Sequence, residues 1–238
     1  MDELTSPERL RYFFGQMLGV DDFQSEQDYF VGKHRRHDRF LHGWGVVCGL
    51  GVSGGTGDMV TVEPGLAIDP RGREIVVPER RQVDPRVITD DAGEPTGAGP
   101  EKDAVRLCLA YAEDATDPVP VPEDDAQEFT RTAETYRLLV RDGVPPAPPR
   151  LLSKEQRDVV LSGPGPPAER LALASPEASG CSPPNGDCVV LATVTFQGDG
   201  PAVDPWTYRR QLFSVVALQE LLFRLARRVS RLEEAAGL

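Results

Sequence analysis

Residues 22 to 52, DFQSEQDYFVGKHRRHDRFLHGWGVVCGLGV, hold an amphipathic helix, a glycine-punctuated turn and an apolar strand in one short block. No other stretch constrains the fold as tightly. Phe23, Phe30, His34, His37 and Leu41 recur at spacings of seven, four, three and four, which puts them along one face of a helix. Asp21 or Asp22 caps its start, and Lys33, Arg35, Arg36 and Arg39 fall toward the negative end of the helix dipole. Gly43 and Gly45 end the helix, and the run from Val46 to Val52 is short, apolar and β-prone. Trp44, between those glycines, is either a core plug locking helix against sheet or an exposed anchor at a protein contact, and the apolar strand after it favours the core. The block reads as a structural joint, Gly43-Trp44-Gly45, and carries no active-site signature.

Downstream the period changes from helical to two. Val60 and Val62 alternate with polar residues, Pro64-Gly65 turns, Leu66 and Ile68 alternate again, and Asp69-Pro70-Arg71-Gly72 turns before Ile75, Val76 and Val77. That is a meander of short antiparallel strands. Residues 84 to 103 form a surface loop, and the run from Ala104 is apolar enough for a central strand. Val119, Val121 and their prolines make an extended, polyproline-like connector, and Thr132 to Val140 reads as another strand. A proline-rich stretch follows, after which Cys188 to Phe196, CVVLATVTF, returns to the core sheet. The expected fold is α+β and mainly β, a short-strand antiparallel sandwich or barrel flanked by an N-terminal helix and a C-terminal coiled-coil-like helix. Its segments are an N-terminal helical part at 1–45, a β domain at 46–142 and 187–213, a proline-rich insertion at 143–186 and an assembly helix at 214–238.

The last segment carries the second stripe. Leu218, Leu222, Leu225, Val229, Leu232 and Ala236 recur at four, three, four, three and four, the seam of a heptad repeat. A helix packed on its own domain gives the same pattern as a helix at an oligomer seam. Pairing this stripe with that of the first helix, within a chain or between chains, is the simplest way to bury both.

At 238 residues and 39% hydrophobic content the chain builds its core without metal or disulfide staples. A formal charge of -12 and a pI near 4.8 argue against nucleic-acid binding, which needs a basic surface. No apolar run reaches the roughly 18 to 20 residues of a membrane helix, and the first residues lack the layout of a signal peptide, so the expected location is cytoplasmic without membrane insertion. Cys48 and Cys108 sit in strand-like runs and read as small core hydrophobes.

Candidate chemistry is sparse. His34 and His37 share a face, but His42 falls elsewhere and no carboxylate joins them, so packing outweighs metal binding. Cys181 and Cys188 are the weak metal candidates: they could close a disulfide or give half of a zinc site, yet two ligands are not four. No nucleophile elbow, phosphate loop, dinucleotide fingerprint or zinc-protease motif is present. The expected chain is not an enzyme and uses no cofactor.

The run RYFFGQMLGVDDFQSEQDYFVGKHRRHDRFLHGWGVVCGLGV, with VEPGLAIDPRGREIVVP, YAEDATDPVPVP and CVVLATVTF, resembles a bacterial family associated with phage-tail-like contractile injection systems. Relatives place Asn where Asp38 stands and carry further cysteines where this chain has Asp114, Asp117 and prolines, so a metal site built on those cysteines would be lost here. The resemblance implies a structural part of a particle at the baseplate, fibre-attachment or cap region. Its expected partners are further copies of the chain around a three-fold or six-fold axis, together with sheath, tube, baseplate or fibre proteins. The competing reading is a binding module whose loops at 84–103 and 143–186 recognise a ligand or receptor on a tail fibre.

Overall fold

The computed structural model describes residues 6–120, 127–144, 188–196 and 200–236. They fall into two compact units, with residues up to His34 in one and the described residues from Arg35 onward in the other. The chain is mainly β, with antiparallel sheets and, among the described residues, two long α-helices.

Helix α1 spans Val20–His37. Asp22 supports its start as the third helical residue, not as the cap: its carboxylate reaches back 2.9 Å to accept the N–H of Gly19, which occupies the cap position. Within the first unit, Tyr12 donates its hydroxyl proton to Glu26 at 2.5 Å. The helix then widens into a π-helical turn, Asp38–His42, closed by the N–H of Gly43 on the carbonyl of Asp38 at 2.9 Å. That turn carries one residue more than an α-turn, so Leu41 drifts off the straight stripe expected from a constant period.

The second unit is built from β1 (Gly45–Gly49), β2 (Val52–Gly54), β3 (Val60–Val62), β4 (Gly65–Ile68), β5 (Glu74–Val77), β6 (Arg81–Val83), β7 (Ala104–Pro120), β8 (Gln127–Asp142), β9 (Cys188–Thr195) and β10 (Ala202–Asp204). Three antiparallel sheets result, ordered β1-β4-β5, β2-β3-β6 and β10-β9-β7-β8. One buried cluster draws on all three, including Val46, Val60, Val62, Ile75, Leu107, Leu109, Val140 and Leu191. Alternation explains the choice of residues: Leu107 and Leu109 face this core, while Cys108 and Ala110 face the other side of the same sheet with Leu139. Helix α2, Val215–Ala236, follows the last strand and starts with the hydroxyl of Ser214 accepting the N–H of Ala217 at 3.2 Å.

Two strand readings change. Pro118, Val119 and Pro120 do not form a polyproline connector: they continue β7, paired with Phe129, Glu128 and Gln127 of β8. Proline is tolerated there because the distal hairpin is a two-stranded ribbon at the margin of the sheet, with β9 pairing only Ala104–Ala110. Cys48 is exposed and not a core residue, because a β-bulge between Val46 and Cys48 breaks the alternation that would have put both on the buried face, whereas Cys108 is buried as expected. No helix among the described residues is long and apolar enough to cross a membrane.

Candidate assembly site at the helix joints

The end of α1 is seated by the turn between β4 and β5. Gly72 has φ +82, and a Cβ built on it would fall on the carbonyl oxygen of Arg35 and against Cβ of Arg39. Only glycine lets the helix end approach this closely. Asp69 holds the turn from a fully buried position: Oδ1 accepts the N–H groups of Arg71 at 2.8 Å and Arg73 at 2.9 Å, and Oδ2 accepts Nε of Arg73 at 2.6 Å. The Arg73 guanidinium then lies 4.6 Å from the ring of Tyr111, with that of Arg35 at 5.6 Å. Arg35 also donates to Glu113 at 3.1 Å and to the Tyr111 hydroxyl at 3.3 Å.

That hydroxyl lies 2.7 Å from Glu113 and 2.9 Å from Glu134, so its proton serves one carboxylate at a time. Burial, and then the two carboxylates, push the Tyr111 pKa above its ordinary value. The hydrogen bond from Tyr111, reinforced by Arg35, holds Glu113 below the usual carboxylate range. A carboxylate with a lowered folded pKa contributes stability above its unfolded value and loses it as pH falls through the folded value. Glu113→Gln should therefore lower the melting temperature at neutral pH and flatten its fall on acidification. Melts from neutral pH to about pH 3 measure this, and parallel curves for the two proteins would contradict it.

The root of α2 is seated on β1. Residues 209 to 212 run parallel to it, with Val46 N–H donating to the Arg210 carbonyl and Leu212 N–H donating to the Val46 carbonyl, both at 2.8 Å. Arg209 donates to the carbonyls of Leu50 at 2.6 Å and Gly49 at 2.7 Å, and Gln211 donates to that of Val47 at 3.3 Å. Burial lowers the pKa values of Arg209 and Arg210 from the ordinary arginine value. Arg210 stacks over Trp44 at 4.6 Å. Trp44 is thus half-buried beneath a guanidinium and is not a plug in the core. Gly43 and Gly45, at φ +82 and +140, flank it as the joint.

The two predicted stripes lie open. Phe23 is 53% exposed, Phe30 52% and Leu41 70%, with His34 and His37 exposed beside them, while the Arg35 side of the helix meets Tyr111. His37 and His42 meet edge-on at 5.2 Å. On α2, Leu218, Leu222, Leu225, Val229 and Leu232 are 46 to 69% exposed. Cys188 is half-buried and shares a hydrogen bond with Cys108, which, together with burial, pushes the Cys108 thiol upward. Cys181 lies outside the described residues, as does most of the expected insertion. Among the described residues no group of three or more His, Cys, Asp or Glu is placed to hold a metal.

Arg35, Asp69, Arg73, Tyr111, Arg209 and Arg210 were not among the predicted site residues. The one local signal was the Asp-Pro-Arg-Gly turn, whose aspartate is well suited to bond backbone N–H groups two and four residues on. What the arrangement does is mechanical: within the second unit it anchors residues 35–39 and the 209–212 segment to the β sheets.

No family model and no curated protein matches the chain. Among solved structures it is similar to a chain of the TssK-TssF-TssG baseplate subcomplex of the type VI secretion system, at 13% identity and TM-score 0.41, covering 96% of this chain and 72% of that one. A chain of the baseplate complex from the type VI secretion system gives 14% identity and TM-score 0.42, covering 97% and 70%. TssK itself gives 12% identity and TM-score 0.38, covering 84% of this chain and 41% of TssK. Scores this low assign neither a fold nor a partner to this chain.

Proposed function

We propose that the chain is a non-catalytic structural subunit of a phage-tail-like contractile injection particle, assembling through α2. The resemblance of its motifs to a family associated with such systems supports the particle. The exposed seam of α2 supports the mode of assembly, and it is the observation that carries the reading. Val215, Leu222 and Val229 occupy a positions, and Leu218, Leu225 and Leu232 occupy d positions, all open to solvent on a helix whose root is fixed by main-chain bonds. Burying such side chains fully stabilises by roughly 1.5 to 3 kcal/mol each, which makes seam pairing with further copies of the chain the favourable outcome. In this reading the copies surround a three-fold or six-fold axis at a baseplate, fibre-attachment or cap position, and contact sheath, tube, baseplate or fibre proteins. The stripe of Phe23, Phe30, His34, His37 and Leu41 is a second contact surface.

Light scattering coupled to size exclusion tests the reading. The full chain is expected to elute as an oligomer, and the double variant Leu222→Asp, Leu225→Asp as a folded monomer with an unchanged β signature in circular dichroism. Those leucines are exposed in the single chain, so the variant has no reason to unfold. A parent chain that stays monomeric at the highest soluble concentration, or a double variant that stays oligomeric, would sink the proposal.

A further inference from the structure

A groove of about 350 Å³ opens between two sheet edges, β6 of one sheet and β8 of another. Val83 and Val87 line one side, Tyr136, Leu138 and Val140 the other. The edge of β8 is already used once. Thr89 donates its N–H to the carbonyl of Val140 at 3.1 Å, and its hydroxyl accepts the N–H of Val140 at 3.0 Å. Val140 therefore turns its backbone groups away from β7, and by the two-residue period of a strand so do Leu138 and Tyr136. Arg137 takes the carbonyl of Tyr136 at 3.2 Å. Among the described residues, the outward N–H groups of Tyr136 and Leu138 and the Leu138 carbonyl have no partner. Unpaired edge groups beside an apolar groove are a template for one more strand.

The charge beyond the groove says what kind of strand fits. Glu134 and Glu128 lie on the same face of β8 as Leu138, further out along the exposed hairpin. Among the described residues neither is paired with a cation, and of the other four carboxylates on β7 and β8, Glu113 takes Arg35, Asp114 takes Arg137, Asp117 takes Arg131 and Asp142 takes Lys102. A segment laid along this edge meets first the groove, where Arg81 is held by the Tyr136 hydroxyl at 2.9 Å and by Glu79 among mainly apolar walls, and carboxylates next.

We propose that the β8 edge binds an extended segment of a partner protein whose alternate residues, all on one face, run from apolar beside the groove to basic beside Glu134 and Glu128, adding it as a strand that continues the pairing Thr89 begins. This interface is separate from the α2 seam and does not need it. The test titrates the isotopically labelled full chain with a synthetic acetylated peptide that carries valines and then lysines at alternate positions, with threonines between them, made in both orders. The amides of Tyr136 and Leu138 are expected to shift and to gain protection from hydrogen exchange. Leu138→Pro, which deletes an N–H that β7 does not use, should weaken binding about tenfold. Because that variant could fail to fold, the same peptide N-methylated at alternate residues supplies an equivalent block with the protein untouched. The same peptide with glutamate at the lysine positions should bind more weakly than the lysine form. Peptide shifts confined to the acidic hairpin, or binding indifferent to both N-methylation and Leu138→Pro, would overturn the proposal. The monomeric Leu222→Asp, Leu225→Asp variant should bind equally, which separates this result from the fate of the seam.

Discussion

Asp69→Ala is expected to destabilise the β unit by about 3 to 5 kcal/mol, the range for breaking a buried ion pair by removing one partner. The Asp69 side chain is fully buried and that of Arg73 is 19% exposed. Removing the carboxylate leaves a largely buried guanidinium and two backbone N–H groups, those of Arg71 and Arg73, without acceptors. Asp69→Asn keeps an amide oxygen for the two N–H groups but not the charge, so its loss should fall between parent and alanine. Urea unfolding followed by circular dichroism gives all three values. An alanine variant within experimental error of the parent would mean that the turn between β4 and β5 stands without its aspartate. The turn also seats the end of α1 through Gly72, so the alanine variant should speed hydrogen exchange at Arg35 and Arg39 ahead of the core strands.

This dependence explains why two distant motifs in the sequence belong together. The basic residues of the first block and PGLAIDPRGREI meet at one joint, where Arg35 and Arg73 share the face of Tyr111. Strands such as 60–62, 66–68 and 188–195 were legible because their side chains alternate or are β-branched and end in recognisable turns. The partners of Arg35 were not, because a pairing over 78 residues leaves no trace in local periodicity. Trp44 misled for a related reason. An apolar neighbour strand argued for burial, but what covers the ring is Arg210, far along the chain. Prolines at 118 and 120 argued against a strand, yet an open ribbon tolerates the donors they remove. Both helical stripes were legible as patterns, but their exposure on the single chain is set by long-range packing that local spacing does not record.

Gly45→Val is expected to detach the root of α2 from β1. At Gly45 φ is +140, and a Cβ would stand 2.6 Å from the carbonyl oxygen of Arg210, the same oxygen that accepts the N–H of Val46. A β-branched residue is disfavoured at that backbone angle and has no room beside the 209–212 segment, so either β1 bends or the segment leaves. Leaving costs less, because the segment lies along β1 as an added parallel edge, whereas β1 carries Val46 of the main core and is paired along its length with β4. The predicted loss is at least about 2 kcal/mol, combining backbone strain with two broken main-chain bonds. Its signature is local: the amides of Val46 and Leu212 should lose protection from hydrogen exchange while those of Leu107 and Val189 keep theirs. Arg209 and Arg210 should loosen together, since one clasps the carbonyls of Gly49 and Leu50 and the other stacks on Trp44. A folded variant with full protection at Leu212 would show that α2 does not depend on this latch. If protection is lost as predicted, the Gly43-Trp44-Gly45 joint acts at both ends of the chain, closing the first helix and receiving the segment from which the last one springs.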